Sequence, residues 1–203
     1  MTSAPQPPDW KVQPARDRLL HTAHALFYRD GIRATGIDRV IAESGVTKVT
    51  FYRHFPSKND LVCAYLEYRH TRWIDWFAAA LVCHGGEHDD AARRLAALPL
   101  ALAEWLGRDD YRGCAFINSV SELGGTVPEV VDIAQRHKRD VTQLLATLLP
   151  PGPEHEQERA QDAQALTLVV EGAIVRVQMG EPLSGVLASV SRLLQGMVAV
   201  QRA

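Results

Sequence analysis

The chain is predicted to be all-α, with about nine helices. Three observations carry this expectation. Apolar residues recur at i, i+3 and i+4 through most of the 203 residues. No stretch alternates apolar and polar residues over the length of a strand. Gly and Pro clusters cut the chain into segments of helical length, at Asp30-Gly31, Gly45, Pro56, Gly124-Gly125, Pro150 to Pro153 and Gly180 to Pro182.

Taken in order, Met1 to Gln13 is Pro-rich and polar and is expected to be a disordered arm. The first helix is expected from near Pro14, because Pro suits a first turn. It carries Leu19, Leu20, Ala23, Leu26 and Phe27 on one stripe. Next comes TGIDRVIAESGVTKVTFYRHF, from Thr35 to Phe55, which reads as two short helices and a tight turn. Ile37, Val40 and Ile41 share one face, and Gly45 stands where a left-handed cap is cheapest without a Cβ. Thr35-x-x-Asp38 has capping-box spacing, and Thr47 can cap the second helix. Val46, Phe51 and Phe55 are assigned inward. Lys48, Val49, Thr50, Tyr52, Arg53 and His54 are left outward. Cations, hydroxyls and an aromatic group on one exposed face suit a duplex groove. Ser57-x-x-Asp60 then opens a fourth helix, with Lys58 in its first turn. A cation there is unfavourable for the helix dipole unless a phosphate is its neighbour.

The segment FYRHFPSKNDLV, preceded by ALFYRDGIRATGIDRVIAESGVTKVT, resembles the DNA-binding domain of the tetracycline-repressor (TetR) family over about fifty continuous residues, Ala15 to Tyr65. The resemblance implies a DNA-binding unit over 14–60, with its helix-turn-helix at 36–55, and an effector-binding and dimerisation unit over 61–203. It implies Lys48 and Val49 nearest base edges, with Thr50 on the same face, and Thr35, Thr47, Tyr52, His54 and Lys58 at phosphates. Gly36 belongs to the same DNA-contacting set, and Arg53 suits either role. Where the family often has Gly, Ser or Pro, Val49 offers only apolar contact, such as to a thymine methyl, so no operator follows by analogy. GCAFINSVSELGG and EGAIVRVQMG also resemble C-terminal domains of one TetR subgroup.

Beyond Leu61 the fourth helix is unusually aromatic and runs to His84-Gly85-Gly86. A further helix spans Asp89 to Arg108, where Pro99 is expected to kink it. Tyr111 to Leu123 holds a short helix. Thr126-x-Pro128-Glu129 resembles a capping box opening the next, and the last two are placed at Glu156 to Met179 and Ser184 to Arg202. Trp73, Trp76, Phe77, Trp105 and Phe116, with Asn118, Glu122 and His137 as polar contacts, are the candidate effector pocket, or else a plain aromatic core. On the last two helices Leu166, Val170, Ala173, Val177, Leu187, Val190, Leu194 and Val198 form apolar stripes assigned to a dimer interface. Their other reading is the monomer's own core. A dimer is favoured because one recognition helix reads too few base pairs for useful specificity.

Net charge is -2, divided as nine Lys/Arg against six Asp/Glu through Asp60 (+3) and thirteen against eighteen beyond it (-5). A mildly basic N-terminal part fits local DNA contact rather than a general nucleic-acid coat. Cys63, Cys83 and Cys114 are far apart and read as small buried hydrophobes, not as a disulfide or zinc framework. No nucleophile elbow, phosphate loop, HExxH or GxGxxG occurs, so no enzyme, cofactor or metal is expected. His21 with His24, and the loop Cys83 to His88, are set aside as metal ligands. Contacts of Glu122 or Glu104 with His137 read as polar pairs. With no apolar run of membrane length and no leader, a cytoplasmic protein is expected. The function expected is a homodimeric regulator, a repressor released from a palindromic operator on double-stranded DNA by a small-molecule effector. The release would come from a tilt of the fourth helix. The rivals are an effector-independent helix-turn-helix architectural or partitioning protein, and a helical enzyme with a DNA-binding-like appendage, against which the missing catalytic motifs count.

Overall fold

A computed structural model describes residues 13–201 except 86, 89, 153 and 154. Among them lie nine helices and no strand. They are α1 (Ala15–Asp30), α2 (Ile37–Ser44), α3 (Lys48–His54), α4 (Lys58–Cys83), α5 (Ala91–Leu106), α6 (Ala115–Leu123), α7 (Pro128–Ala146), α8 (Glu156–Gln178) and α9 (Leu183–Gln201). The arm expected over 1–13 lies, apart from Gln13, outside the described residues, as do Asp89 and Pro153 of the expected helix boundaries.

The first three helices form around α1, which packs on α2, α3 and α4. Leu19, Ala23, Leu26 and Phe27 of α1 are buried against Val40, Phe51 and Phe55. Phe51 has no exposed surface. Removing such a ring costs about 3–5 kcal/mol, so it anchors the short α3, which at seven residues would not hold alone. Gly45 adopts φ 64°, ψ 33°, the left-handed cap expected of it. Thr47 Oγ1 accepts from Thr50 N at 3.2 Å and starts α3. Ser57 Oγ likewise accepts from Asp60 N at 3.2 Å and starts α4.

Two expected caps fail. At α2 the N-cap is Gly36, and the Thr35 hydroxyl instead donates backward to Gly31 O at 2.8 Å. At α7 the N-cap is Val127, and Thr126 Oγ1 donates to Leu123 O. In both, the preceding turn offers a carbonyl within local reach, and a hydroxyl satisfies that acceptor first.

α4 runs unbroken from Lys58 to Cys83 and belongs to both units, so no linker separates them. It packs on α1, α5 and α7. α7, α8 and α9 follow as neighbouring layers, α9 returns onto α5, and α6 sits on α7. α5 continues through Pro99. The buried Arg94 guanidinium donates to Leu148 O, Leu149 O and His88 O, tying α5 to the end of α7. Only Cys114 of the three cysteines is buried. Cys63 is half-buried and Cys83, at the α4 terminus, is exposed.

Candidate DNA interface and ligand cleft

α3 presents one face to solvent. Lys48, Val49, Tyr52 and Arg53 are exposed, and Thr50 and His54 half-buried. Val49 is 71% exposed, among the barest large apolar side chains of the described residues. Lys48 Nζ is 3.2 Å from Asp38 Oδ1, but both ends stand in water, so the pair is weak and leaves the cation free to exchange partners. Thr47 is exposed while sharing its hydroxyl with Thr50 Oγ1 at 2.9 Å. Gly36 is exposed at the head of α2, where a Cβ would meet nothing within 4 Å. Lys58 lies half-buried in the first turn of α4, and desolvation holds its ammonium pKa below the usual lysine range. Thr35 is a correction. It has no exposed surface and its hydroxyl is committed to Gly31 O, so it cannot reach a phosphate.

Besides the packing of α4 on α1, the N-terminal unit is held by α6 and by the α5–α6 loop. The Glu122 carboxylate, at the end of α6, accepts from Ile32 N at 3.1 Å and Arg33 N at 2.6 Å, in the α1–α2 turn. The Tyr28 hydroxyl donates to Gly113 O at 3.0 Å and accepts from Arg112 N at 2.9 Å. Gly113 takes φ 82°, a conformation that favours glycine, and a Cβ there would run into the Gln178 side chain.

The expected pocket residues divide. Trp73, Trp105, Phe116 and His137 line an interior gap of about 10 Å³, the space of one water, together with Cys114, Lys138 and Glu171. His137 stacks on Phe116 at 3.6 Å, and burial drives its pKa down to about 2, so it is neutral. Lys138 pairs with Glu171 at 3.0 Å. Phe77 is wholly buried in the core and lines neither opening. Asn118 holds the preceding loop through Arg112 O. Glu122 is the clasp described above. Neither Glu122 nor Glu104 meets His137. Glu104 is bonded to His84 at 2.6 Å, and His137 to His70 at 3.2 Å.

A larger cleft of about 200 Å³ opens where α1, α4, α5 and the α5–α6 loop meet. Trp73, Trp76 and Trp105 wall it, and Tyr28 and Tyr111 form its rims. The Tyr111 hydroxyl donates to Ile174 O at 2.8 Å. Arg69 lies flat on the Tyr28 ring at 3.6 Å and bonds His24 Nε2 at 3.2 Å. His24 is kept neutral, its pKa lowered to about 4 by burial and then by Arg69. Arg72 donates to Tyr68 at 3.1 Å. The sequence reading missed Arg69 and Arg72. Their signal was a stripe in which Arg69, Arg72, Trp73 and Trp76 fall at i, i+3, i+4 and i+7.

The dimer stripe also needs correction. Leu166, Val170, Ala173, Val190 and Leu194 are buried in the chain's own core, and Val177, Leu187 and Val198 pack half-buried against it. The solvent face of α8 carries Leu168 (61% exposed), Gly172, Val175 and Met179 (78%). That of α9 carries Gly185, Leu193 and Gly196.

Among the described residues no group of His, Cys, Asp or Glu is arranged to hold a metal, and no helix is long and apolar enough to cross a membrane. Residues 19–65 match the family described as bacterial regulatory proteins, tetR family. A crystal structure of a TetR-family transcriptional regulator from Streptomyces coelicolor is 30% identical, covers 91% of this chain and 88% of its own, and superposes with a TM-score of 0.71. The chain belongs to the TetR family. As a TetR-family member it is a DNA-binding regulator of transcription, and its relatives are regulators rather than enzymes. The Escherichia coli protein named HTH-type transcriptional repressor NemR is 25% identical over 187 residues, 88% of this chain and 93% of that one. A TetR-type regulator from Streptomyces avermitilis, 24% identical, shares the fold at a TM-score of 0.75 over 92% of this chain and 99% of its own.

Proposed function

We propose that this TetR-family chain is a homodimeric repressor that reads a palindromic operator with α3 and leaves it when a small molecule binds the larger unit. The observation that carries the proposal is the face of α3, where Val49 is bare and flanked by exposed Lys48, Tyr52 and Arg53. Among the described residues the one ion pair on that face is the solvent-exposed Lys48–Asp38 pair. Lys48 and Val49 take base edges, with Thr50 beside them. Thr47, Tyr52, His54 and Lys58, with the amides at Gly36, hold phosphates, and Arg53 serves either. Residues 14–60 act as the reading head and 61–203 as the regulatory unit, with α4 shared between them.

The dimer forms on the solvent faces of α8 and α9. Gly172, Gly185 and Gly196 have nothing within 4 Å of a built Cβ and permit close helix approach, while Leu168 and Met179 supply apolar area. The two reading heads must match about one turn of DNA, roughly 34–36 Å, so a few ångströms of displacement abolishes the fit. The cleft of about 200 Å³ touching α1 favours this reading over an effector-independent architectural protein, which needs no such opening.

Selection of bound fragments from genomic DNA tests the reading. One inverted repeat should be enriched. Lys58→Ala should then weaken binding to all sequences alike and lower the salt slope by about one unit. A changed sequence preference would refute the phosphate role.

A further inference from the structure

We infer that the effector is an anionic aromatic molecule, seated among Trp73, Trp76 and Trp105 with its acid group on Arg69 and Arg72. The inference rests on the effector-released reading above and names the ligand class.

The charge distribution points to an anion. Arg69, Arg72 and Arg108 line the cleft, and Asp110 is the one carboxylate among the lining residues. Asp110 is held by Arg108 through two bonds, at 2.8 and 3.0 Å. Arg69 and Arg72 pair with no carboxylate among the described residues. Their partners are a neutral imidazole, two phenol rings and a phenol oxygen. A guanidinium satisfied in this way gains by turning its fork to a carboxylate or sulfonate, which binds it through two parallel bonds.

The walls point to an aromatic body. Trp73 meets Trp105 edge-on at 5.2 Å and Trp76 at 6.2 Å, and the half-buried Trp76 and Tyr111 rings border the cleft where a planar guest would pack. Trp73 Nε1 is buried and has no acceptor among the described residues. The Trp73 ring lines both the cleft and the interior gap. A cationic guest would face three guanidinium groups against one carboxylate, Asp110.

The same geometry links the ligand to the reading head. Arg69 stacks on Tyr28, whose hydroxyl bridges Gly113 and Arg112. An acid group that draws Arg69 to itself removes the cation from that ring and loosens the α1 contact with the α5–α6 loop.

The test is calorimetric titration of the whole protein with 1-naphthoate, its neutral analogue 1-naphthylmethanol and its cationic analogue 1-naphthylmethylamine, with benzoate as a smaller acid. The acids should bind, with 1-naphthoate at least tenfold tighter than the alcohol and the amine weakest. Arg72→Gln, at an exposed side chain, should cost 1-naphthoate about tenfold and leave the alcohol unchanged. Equal affinity for the three naphthalenes, binding of neither acid at millimolar concentration, or an Arg72→Gln variant that binds 1-naphthoate as before would each overturn the inference. Operator release, read separately by fluorescence anisotropy, reports on the regulatory reading. Selective binding without release leaves the ligand class standing and removes the release mechanism.

Discussion

Glu122→Ala should free the α1–α2 turn from the regulatory unit without unfolding either. The carboxylate accepts two backbone amides, at 3.1 Å from Ile32 and 2.6 Å from Arg33. A shielded hydrogen bond to a charged group contributes about 1.5–3 kcal/mol. Arg33 is exposed and Glu122 half-buried, so water competes for both bonds and the pair is taken at about 2 kcal/mol. At about 1.4 kcal/mol per tenfold, that corresponds to roughly a 30-fold rise in local opening. Amide hydrogen exchange reads this directly at Ile32 and Arg33, with the buried amides of α1 as an internal control. Glu122→Gln keeps an acceptor and loses the charge, so its effect should fall between alanine and wild type. Unchanged exchange at these two amides in a folded Glu122→Ala protein would refute the reasoning and reduce Glu122 to a surface carboxylate.

The recognition face predicts that Val49→Ala alters sequence preference by about 1 kcal/mol at one base pair and leaves the salt slope intact, as competitive binding on a panel of single-base operator variants would show. Loss of affinity for every sequence alike would contradict it. Leu168→Glu should dissociate the dimer while the chain stays folded, by light scattering at low micromolar concentration. Val170→Glu, in the core, should instead unfold it, because a buried unpaired carboxylate costs several kcal/mol. His24 and His137 have pKa values lowered from 6.5 to about 4 and about 2, first by burial. Both are neutral when folded and take up protons once unfolded. Their stabilisation is therefore complete above pH 6.5 and declines as pH falls, by up to about 1.4 kcal/mol per unit for each group. His137→Phe should reduce that slope between pH 6 and 4.5 in denaturant titrations, and an unchanged slope would remove His137 as a contributor.

The helices were legible because their signals are local. Gly45, Thr47 and Ser57 each act within three or four residues, and Phe51 and Phe55 follow helical spacing. The failed caps at Thr35 and Thr126 show the limit. A hydroxyl has several nearby acceptors, and the turn geometry, absent from the spacing, chooses among them. The stripes of α8 and α9 misled for a different reason. Past Ala165 both faces of α8 carry apolar residues, so periodicity could not say which one turns inward. Burial assigned Val170 to the core and Leu168 to the surface, two positions apart. Glu122 and Arg69 were out of reach, because their partners stand 89 to 90 and 45 residues away in the chain.

Apart from the packing of α1 on α4, the N-terminal unit is fastened to the larger one at three separate places: the continuous backbone entering α4, the Glu122 grip on the α1–α2 turn, and the Tyr28 bridge to Gly113. Three fixings out of line immobilise a rigid body, whereas two leave it a single axis. Undoing the tyrosine bridge alone would leave α1 packed on α4 and the other two fixings in place, which favours rotation about a line from the base of α4 to the tip of α6. The swing of α3 would then have its direction set in advance, whatever the shape of the molecule that undid the bridge.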